Sequence, residues 1–128
     1  MSEQSTEGAR RPIILLVEDE PAVRRSLQLV LQGNGFAVRS YASGAALLQD
    51  PSARTASGLI ADYRLQGSDG LLILRALRLA GFDGRAILIT AYGSSELTMQ
   101  ALAAGFSDVL EKPLAPRALS AAVADLIG

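Results

Sequence analysis

Three carboxylates, one hydroxyl and the only lysine of the chain each stand at the end of a short apolar run. Glu18 and Asp19 follow Ile13 to Val17, Asp62 follows Leu59 to Ala61, Thr90 follows Ala86 to Ile89, and Lys112 comes just after Asp108 to Leu110. A run of this kind is the signature of a parallel strand buried on both faces, and in open α/β sheets ligands sit beyond the carboxyl ends of the strands. Asp62 alone reads equally well as a turn residue. Placed on one rim with the other four groups, it reads as the centre of a site.

Carboxylates in close quarters repel one another unless a cation intervenes, and an all-oxygen set without His or Cys points to Mg²⁺ or Mn²⁺. Magnesium keeps waters and phosphate oxygens in its shell, which directs the chemistry to phosphoryl groups. Asp62 is then a carboxylate nucleophile able to form an aspartyl phosphate. The Lys112 ammonium neutralises one phosphoryl oxygen, and the Thr90 hydroxyl donates a hydrogen bond to another. Of the twelve basic residues eleven are Arg, so the lone lysine is consistent with a need for a compact point charge.

The elements that position these groups follow from punctuation and periodicity. After the strand Ile13 to Val17, Pro21 opens a helix with Val23, Leu27, Val30 and Leu31 at helical spacing, closed by Gly33. Phe36 to Tyr41 alternates as an edge strand does. Ser43 caps a short helix through Gln49, ended by Asp50-Pro51; a loop leads to the strand Leu59 to Asp62. Asp69 caps a helix whose Leu71, Leu72, Leu74, Leu77 and Leu79 predict burial on more than one face, stopped by Gly81. Ala86 to Thr90 is a fourth strand, Ser94 or Ser95 caps a helix through Ala104, and Asp108 to Leu110 is a fifth strand. From Pro116 a last helix carries Ala118, Leu119, Ala122, Val123 and Leu126 on one face. Strand and helix alternate five times, which implies a parallel sheet covered on both faces.

Bulk properties close off other classes. The chain has 128 residues, 49% hydrophobic and 20% charged, a net charge of −1, and neither Cys nor His. It has the size and composition of one globular domain, 12–128, after a polar tail, 1–11, expected to be disordered. The lack of His and Cys removes serine, cysteine and zinc hydrolases of the common kinds. Nothing approaches the length of a membrane span or the h-region of a secretory signal, so a cytoplasmic protein is expected. Scattered basic residues give no nucleic-acid footprint, and Arg10-Arg11 and Arg24-Arg25 read as solvated surface.

Val17-Glu18-Asp19-Glu20, Ala61-Asp62, Asp69-Gly70, Thr90-Ala91 and Glu111-Lys112-Pro113, in this order and at these intervals, resemble the receiver domain of two-component response regulators. The resemblance runs from about Ile13 onward. It implies a (βα)₅ flavodoxin-like fold with strand order 2-1-3-4-5. It also implies that Asp62 accepts a phosphoryl group from a histidine kinase or histidine phosphotransfer protein. Mg²⁺ would be ligated by Asp19, Asp62 and the backbone carbonyl of Arg64, with Glu18 acting through water. Thr90 and Lys112 would bind the phosphoryl group, Ala91 and Pro113 would flank it, and the Lys112-Pro113 bond would be cis. Phosphorylation would shift the population of a surface built on the fourth helix, fifth strand and fifth helix.

The chain departs from the family at three places. Val109 occupies the position, three residues before the lysine, where receivers carry a Tyr or Phe switch. Gln66 replaces a common Pro four residues after the acceptor, predicting a more mobile loop. Arg64 and Tyr92 would flank the phosphoryl group, and the expectation is that they prolong its life, with Tyr92 taking part of the missing aromatic's role. Competing readings are an Asp-nucleophile phosphatase of the haloacid-dehalogenase kind, a nucleotide-binding domain and a scaffold pseudo-receiver. The first needs a second acid where Arg64 stands; the second needs a glycine-rich loop where Glu18 to Glu20 stand. The output is either a separate protein partner or a fused domain, and the last helix has Ala and Leu positions that would serve a homodimer.

Overall fold

The segment Ile13–Val17 forms β1, and Ile14 through Val17 are wholly shielded from solvent. Successive side chains of a strand point to opposite faces, so Leu15 and Val17 enter one apolar cluster while Ile14 and Leu16 enter another. The structure, a computed structural model, describes residues 11–127. Most of the expected N-terminal tail therefore lies outside the described residues.

Beyond β1 the elements are α1 (Pro21–Gly33), β2 (Ala37–Tyr41), α2 (Gly44–Leu48), a 3₁₀ turn (Pro51–Thr55) and β3 (Gly58–Asp62). A small antiparallel hairpin follows, pairing Arg64–Leu65 with Ser68–Asp69, then α3 (Gly70–Leu79), β4 (Arg85–Thr90), α4 (Ser95–Ala104), β5 (Asp108–Glu111) and α5 (Pro116–Ile127). The main sheet has the order β2-β1-β3-β4-β5 with every pair parallel, as the alternation predicts. Leu27 and Leu31 of α1 and Leu119, Val123 and Leu126 of α5 cover one face. Leu47 of α2, Ile73, Leu74 and Leu77 of α3, and Leu97 and Ala101 of α4 cover the other. Each fully buried Leu or Ile contributes roughly 2 kcal/mol, and β3, buried along its whole length, is the shared floor of both layers.

Caps set the helix starts. Ser43, Asp69 and Ser94 each accept from the backbone N–H three residues on, at 3.1, 2.9 and 3.0 Å, satisfying a donor that the first turn leaves unpaired. Ser94 rather than Ser95 is thus the cap of α4. At the C-terminus of that helix Gly105 adopts φ 109°, a left-handed cap that a side chain would strain.

Several boundaries differ from the sequence reading. Gly33 is still helical and Asn34 caps α1, because its amide Nδ2 donates to the orphan carbonyl of Val30 at 2.7 Å. Phe36 precedes β2 and packs instead into the α1/α5 cluster. The loop before β3 contains the 3₁₀ turn, opened by Asp50, whose carboxylate accepts from Ser52 N. The expected burial of α3 on more than one face does not occur: Leu72 is 53% and Leu79 is 84% exposed, and the packed stripe is Ile73, Leu74 and Leu77. Ala118 of α5 also faces outward. Among the described residues no helix is long and apolar enough to cross a membrane.

Candidate functional site

Register brings the strand ends together. Val17 lies beside Ala61, Asp62 beside Ile89, and Thr90 beside Glu111. The ladder continues one step past β1, with Glu18 N donating to Tyr41 O at 3.1 Å, which carries Glu18 into the interior rather than into a turn. Glu18 is fully buried, Thr90 is 1% and Asp62 6% exposed, while Asp19 lies open. Glu18, Asp19, Asp62 and Lys112 meet at this rim, with Thr90 beside them at the end of β4.

Lys112 joins the acids. Its Nζ donates to Glu18 Oε1 at 2.8 Å and to Asp62 Oδ2 at 2.9 Å, a bridge between residues on β1 and β3 made from the loop after β5. The second Glu18 oxygen accepts from Glu20 N at 3.1 Å. Burial pushes the Lys112 ammonium down, but the hydrogen bonds to Glu18 and Asp62 outweigh it and raise its pKa above the ordinary lysine value. Glu18 is also raised: burial dominates, Asp62 adds repulsion, and the lowering by Lys112 and Glu20 N does not offset them. The geometry secures the charge of Lys112, which makes two short contacts, while Glu18 remains short of compensation. One ammonium serves two buried acids, and a third, Asp19, stands beside them.

That deficit fits a hard cation. Glu18, Asp19 and Asp62 each offer an oxygen within 4.8 Å of the others, a cluster of the kind Mg²⁺ occupies with waters and phosphate oxygens in the remaining positions. All donors are carboxylates, so softer metals have no preference here.

The surrounding backbone is shaped to the same centre. Gly70 N donates to Tyr63 O at 2.9 Å, and a Cβ on Gly70 would lie 2.8 Å from the carbonyl oxygen of Asp62. The Asp69-Gly70 pair thus caps α3 and lets its first turn press against β3. Thr90 Oγ1 accepts from Tyr92 N at 3.1 Å, and Thr90 O accepts from Lys112 N at 2.8 Å. The Lys112-Pro113 bond is cis. Exposed Ala91 and Pro113 border a cleft of about 540 Å³ beside the site, lined also by Val23, Leu27, Lys112 and Leu114.

Two features escaped the sequence. Arg24, read as solvated, is half-buried and its guanidinium donates to Glu18 O at 2.7 Å; its place one helical turn after Glu20 is the only available signal. Gln66, read as the mark of a looser loop, sits in the hairpin turn and its N–H donates to Asp19 Oδ2 at 3.3 Å. A proline there would have no N–H to give. Arg64 and Tyr92 are exposed, and the Arg64 guanidinium lies over the Tyr92 ring at 4.8 Å from its centre. Val109 is half-buried against the α2/α3/α4 cluster.

The chain is similar to known proteins in sequence and in fold. The response regulator receiver domain family matches residues 14–124. The transcriptional regulatory protein FixJ of Azorhizobium caulinodans is 34% identical over 88% of this chain and 54% of its own length. The C4-dicarboxylate transport transcriptional regulatory protein DctD of Rhizobium meliloti is 35% identical over 81% of this chain and 23% of its own. The chain thus spans about half the length of one curated relative and a quarter of the other. A CheY-like response regulator receiver domain protein from Methanospirillum hungatei superimposes with a TM-score of 0.76 at 26% identity, covering 90% of this chain and 92% of that one.

Proposed function

The chain belongs to the response regulator receiver domain family of two-component signalling, and from that premise we propose that Asp62 is its phosphoacceptor. The observation that carries the assignment is the Lys112 bridge, which holds the Asp62 carboxylate 2.9 Å from a cation at the centre of the acid rim. An Asp62 oxygen attacks phosphorus, the bond from phosphorus to the donor nitrogen or oxygen breaks, and the donor leaves with that electron pair. A histidine kinase or histidine phosphotransfer protein is the donor, and the reaction is cytoplasmic.

Glu18, Asp19, Asp62 and the carbonyl of Arg64 would hold Mg²⁺, whose charge offsets that of the incoming phosphoryl group. The protein supplies the rest. Lys112 neutralises a phosphoryl oxygen, and Thr90, whose carbonyl is held by Lys112 N, offers a hydroxyl to another. Arg64 and Tyr92 stand at the mouth and keep the hydrolytic water off the aspartyl phosphate. The receiver then acts as a switch on a downstream protein or a fused domain. The phosphatase reading lacks its second acid, since Arg64 occupies that position.

Exposure to acetyl phosphate with Mg²⁺, followed by intact-mass measurement, is expected to add one phosphoryl group to the wild type and none to Asp62→Asn. A phosphoryl gain that survives this substitution overturns the assignment. Arg64→Ala and Tyr92→Ala are each expected to shorten the phosphorylated lifetime several-fold, read by the decay of the same mass species. An unchanged decay in both removes the shielding role and leaves the phosphoacceptor in place.

A further inference from the structure

We propose that Arg64 is a phosphoryl-binding residue held in reserve by Tyr92, so that occupation of the site transfers its guanidinium from the aromatic ring to the phosphoryl group. The inference rests on Asp62 being the phosphoacceptor. Arg64 stands two residues after Asp62, Tyr92 two residues after Thr90, and the strands that carry Asp62 and Thr90 are paired neighbours. A contact from Arg64 to Tyr92 therefore crosses the mouth above both groups.

The guanidinium is otherwise unspent. Among the described residues it makes no ion pair, and the ring of Tyr92, itself 67% exposed, is the partner it has. A guanidinium offers five donors in a fork suited to phosphate oxygens, whereas a stack on an exposed ring is worth little. A phosphoryl group on the same rim is the stronger partner, so the transfer runs downhill once the group arrives.

Both halves of the stack are wired to the site. Gln66 N donates to Asp19 Oδ2 from the turn of the hairpin that begins at Arg64, and Tyr92 N donates to Thr90 Oγ1. Thr90 Oγ1 accepts from Tyr92 N and keeps its own O–H free to donate to a phosphoryl oxygen, so a shift of Thr90 towards a bound group carries Tyr92 with it. That displacement reaches the loop that ends at the Ser94 cap of α4. One landmark of that loop is Gly93, where a Cβ would come within 2.9 Å of the Glu111 carboxylate. The loop is seated against the end of β5, and a shift of Tyr92 reaches α4 and β5 together. With Val109 in the inner position, this outer aromatic supplies the moving ring.

Beryllofluoride with Mg²⁺, an acyl-phosphate mimic, tests the transfer in four forms of the chain: wild type, Arg64→Ala, Tyr92→Ala and the double variant. Removing the competing ring is expected to tighten beryllofluoride binding about two- to fivefold, the worth of an exposed cation–π contact. Arg64→Ala weakens binding, and Tyr92→Ala has no further effect in that background. By NMR, the Arg64 δ-methylene protons carry an upfield ring-current shift in the free protein that disappears in the beryllofluoride complex. Independent effects of the two substitutions, or a ring-current shift that persists in the complex, overturn the transfer. If the amide signals of Asp62 and Thr90 respond to beryllofluoride in wild type but Arg64→Ala binds it equally well, the guanidinium role alone falls. If wild type does not bind it, the phosphoacceptor reading falls and this one with it.

Discussion

Two polar clusters lie at strand ends of the same sheet, built from similar parts and left in opposite states. One is the site of Glu18, Asp19, Asp62, Thr90 and Lys112. The other surrounds the end of β2, where the Tyr41 hydroxyl donates to Asp50 Oδ2 at 2.5 Å, Ser52 Oγ and N donate to Asp50 Oδ1 at 2.7 and 3.0 Å, and Arg39 donates to Ser52 Oγ at 2.7 Å. Each has acid, hydroxyl and cation. The difference is arithmetic and burial. At β2 a single acid, in a partly exposed setting, receives three hydrogen bonds and its pKa is lowered, so nothing is left to satisfy. At the rim of β1 and β3 two buried acids share one ammonium and Glu18 is raised. The β2 cluster ties a turn; at the rim the described buried polar atoms are all hydrogen-bonded, but carboxylates outnumber cations.

Removing the cation from the rim cluster is the largest disturbance. Lys112→Ala leaves Glu18 and Asp62 side by side with no cation between them, and breaking a buried pair of this kind costs about 3 kcal/mol. Denaturant unfolding is expected to show that loss, with part of it returned by Mg²⁺. A loss that Mg²⁺ does not touch would mean that the acids do not form one site. The next effect is on the intact protein: Mg²⁺ at ten times its dissociation constant should stabilise the fold by about 1.4 kcal/mol, measured as a rise in melting temperature. The rise should vanish in Asp19→Asn and remain in Tyr41→Phe, and equal rises in both would erase the contrast.

Tyr41→Phe gives the smallest change, about 1 kcal/mol for one hydrogen bond whose acceptor keeps its Ser52 partners. Burial, with the hydrogen bond to Asp50 behind it, pushes the Tyr41 hydroxyl up to about 12 from 10.0. Between these values the folded chain keeps a proton that the unfolded chain has released, so its stability is present below pH 10 and lost as pH rises towards 12. Unfolding free energies measured across that window should fall in the wild type and fall less steeply in Tyr41→Phe, where the raised Lys112 still contributes. An identical slope in the two proteins would show that Tyr41 does not couple to folding.

Much of this was legible in the residue order. Apolar runs ending in Glu18, Asp62 and Thr90 announced both the strands and the site, since a parallel strand buried on two faces must be apolar to its end and polar only where it meets a ligand. Helix starts were written as Ser43, Asp69 and the Ser94-Ser95 pair, because a cap acts through the next three residues. Errors gathered where one residue has two local uses: Gly33 gave way to Asn34, whose side chain reaches back to Val30, and the leucines of α3 outnumber the places that its neighbours cover.

What the sequence determined by itself was therefore local and periodic: the strands, the caps, the types of group at each strand end, and through the motifs the receiver family. Tertiary structure alone decided which groups touch. That Lys112 bridges Glu18 and Asp62, that Gln66 N–H reaches Asp19, that Arg24 leaves the surface for Glu18 O and that Arg64 rests on Tyr92 depend on contacts between residues far apart in the chain or on rotamers chosen by packing. Spacing along a chain carries no record of either, because the sheet register that brings distant residues together is set by the whole core at once.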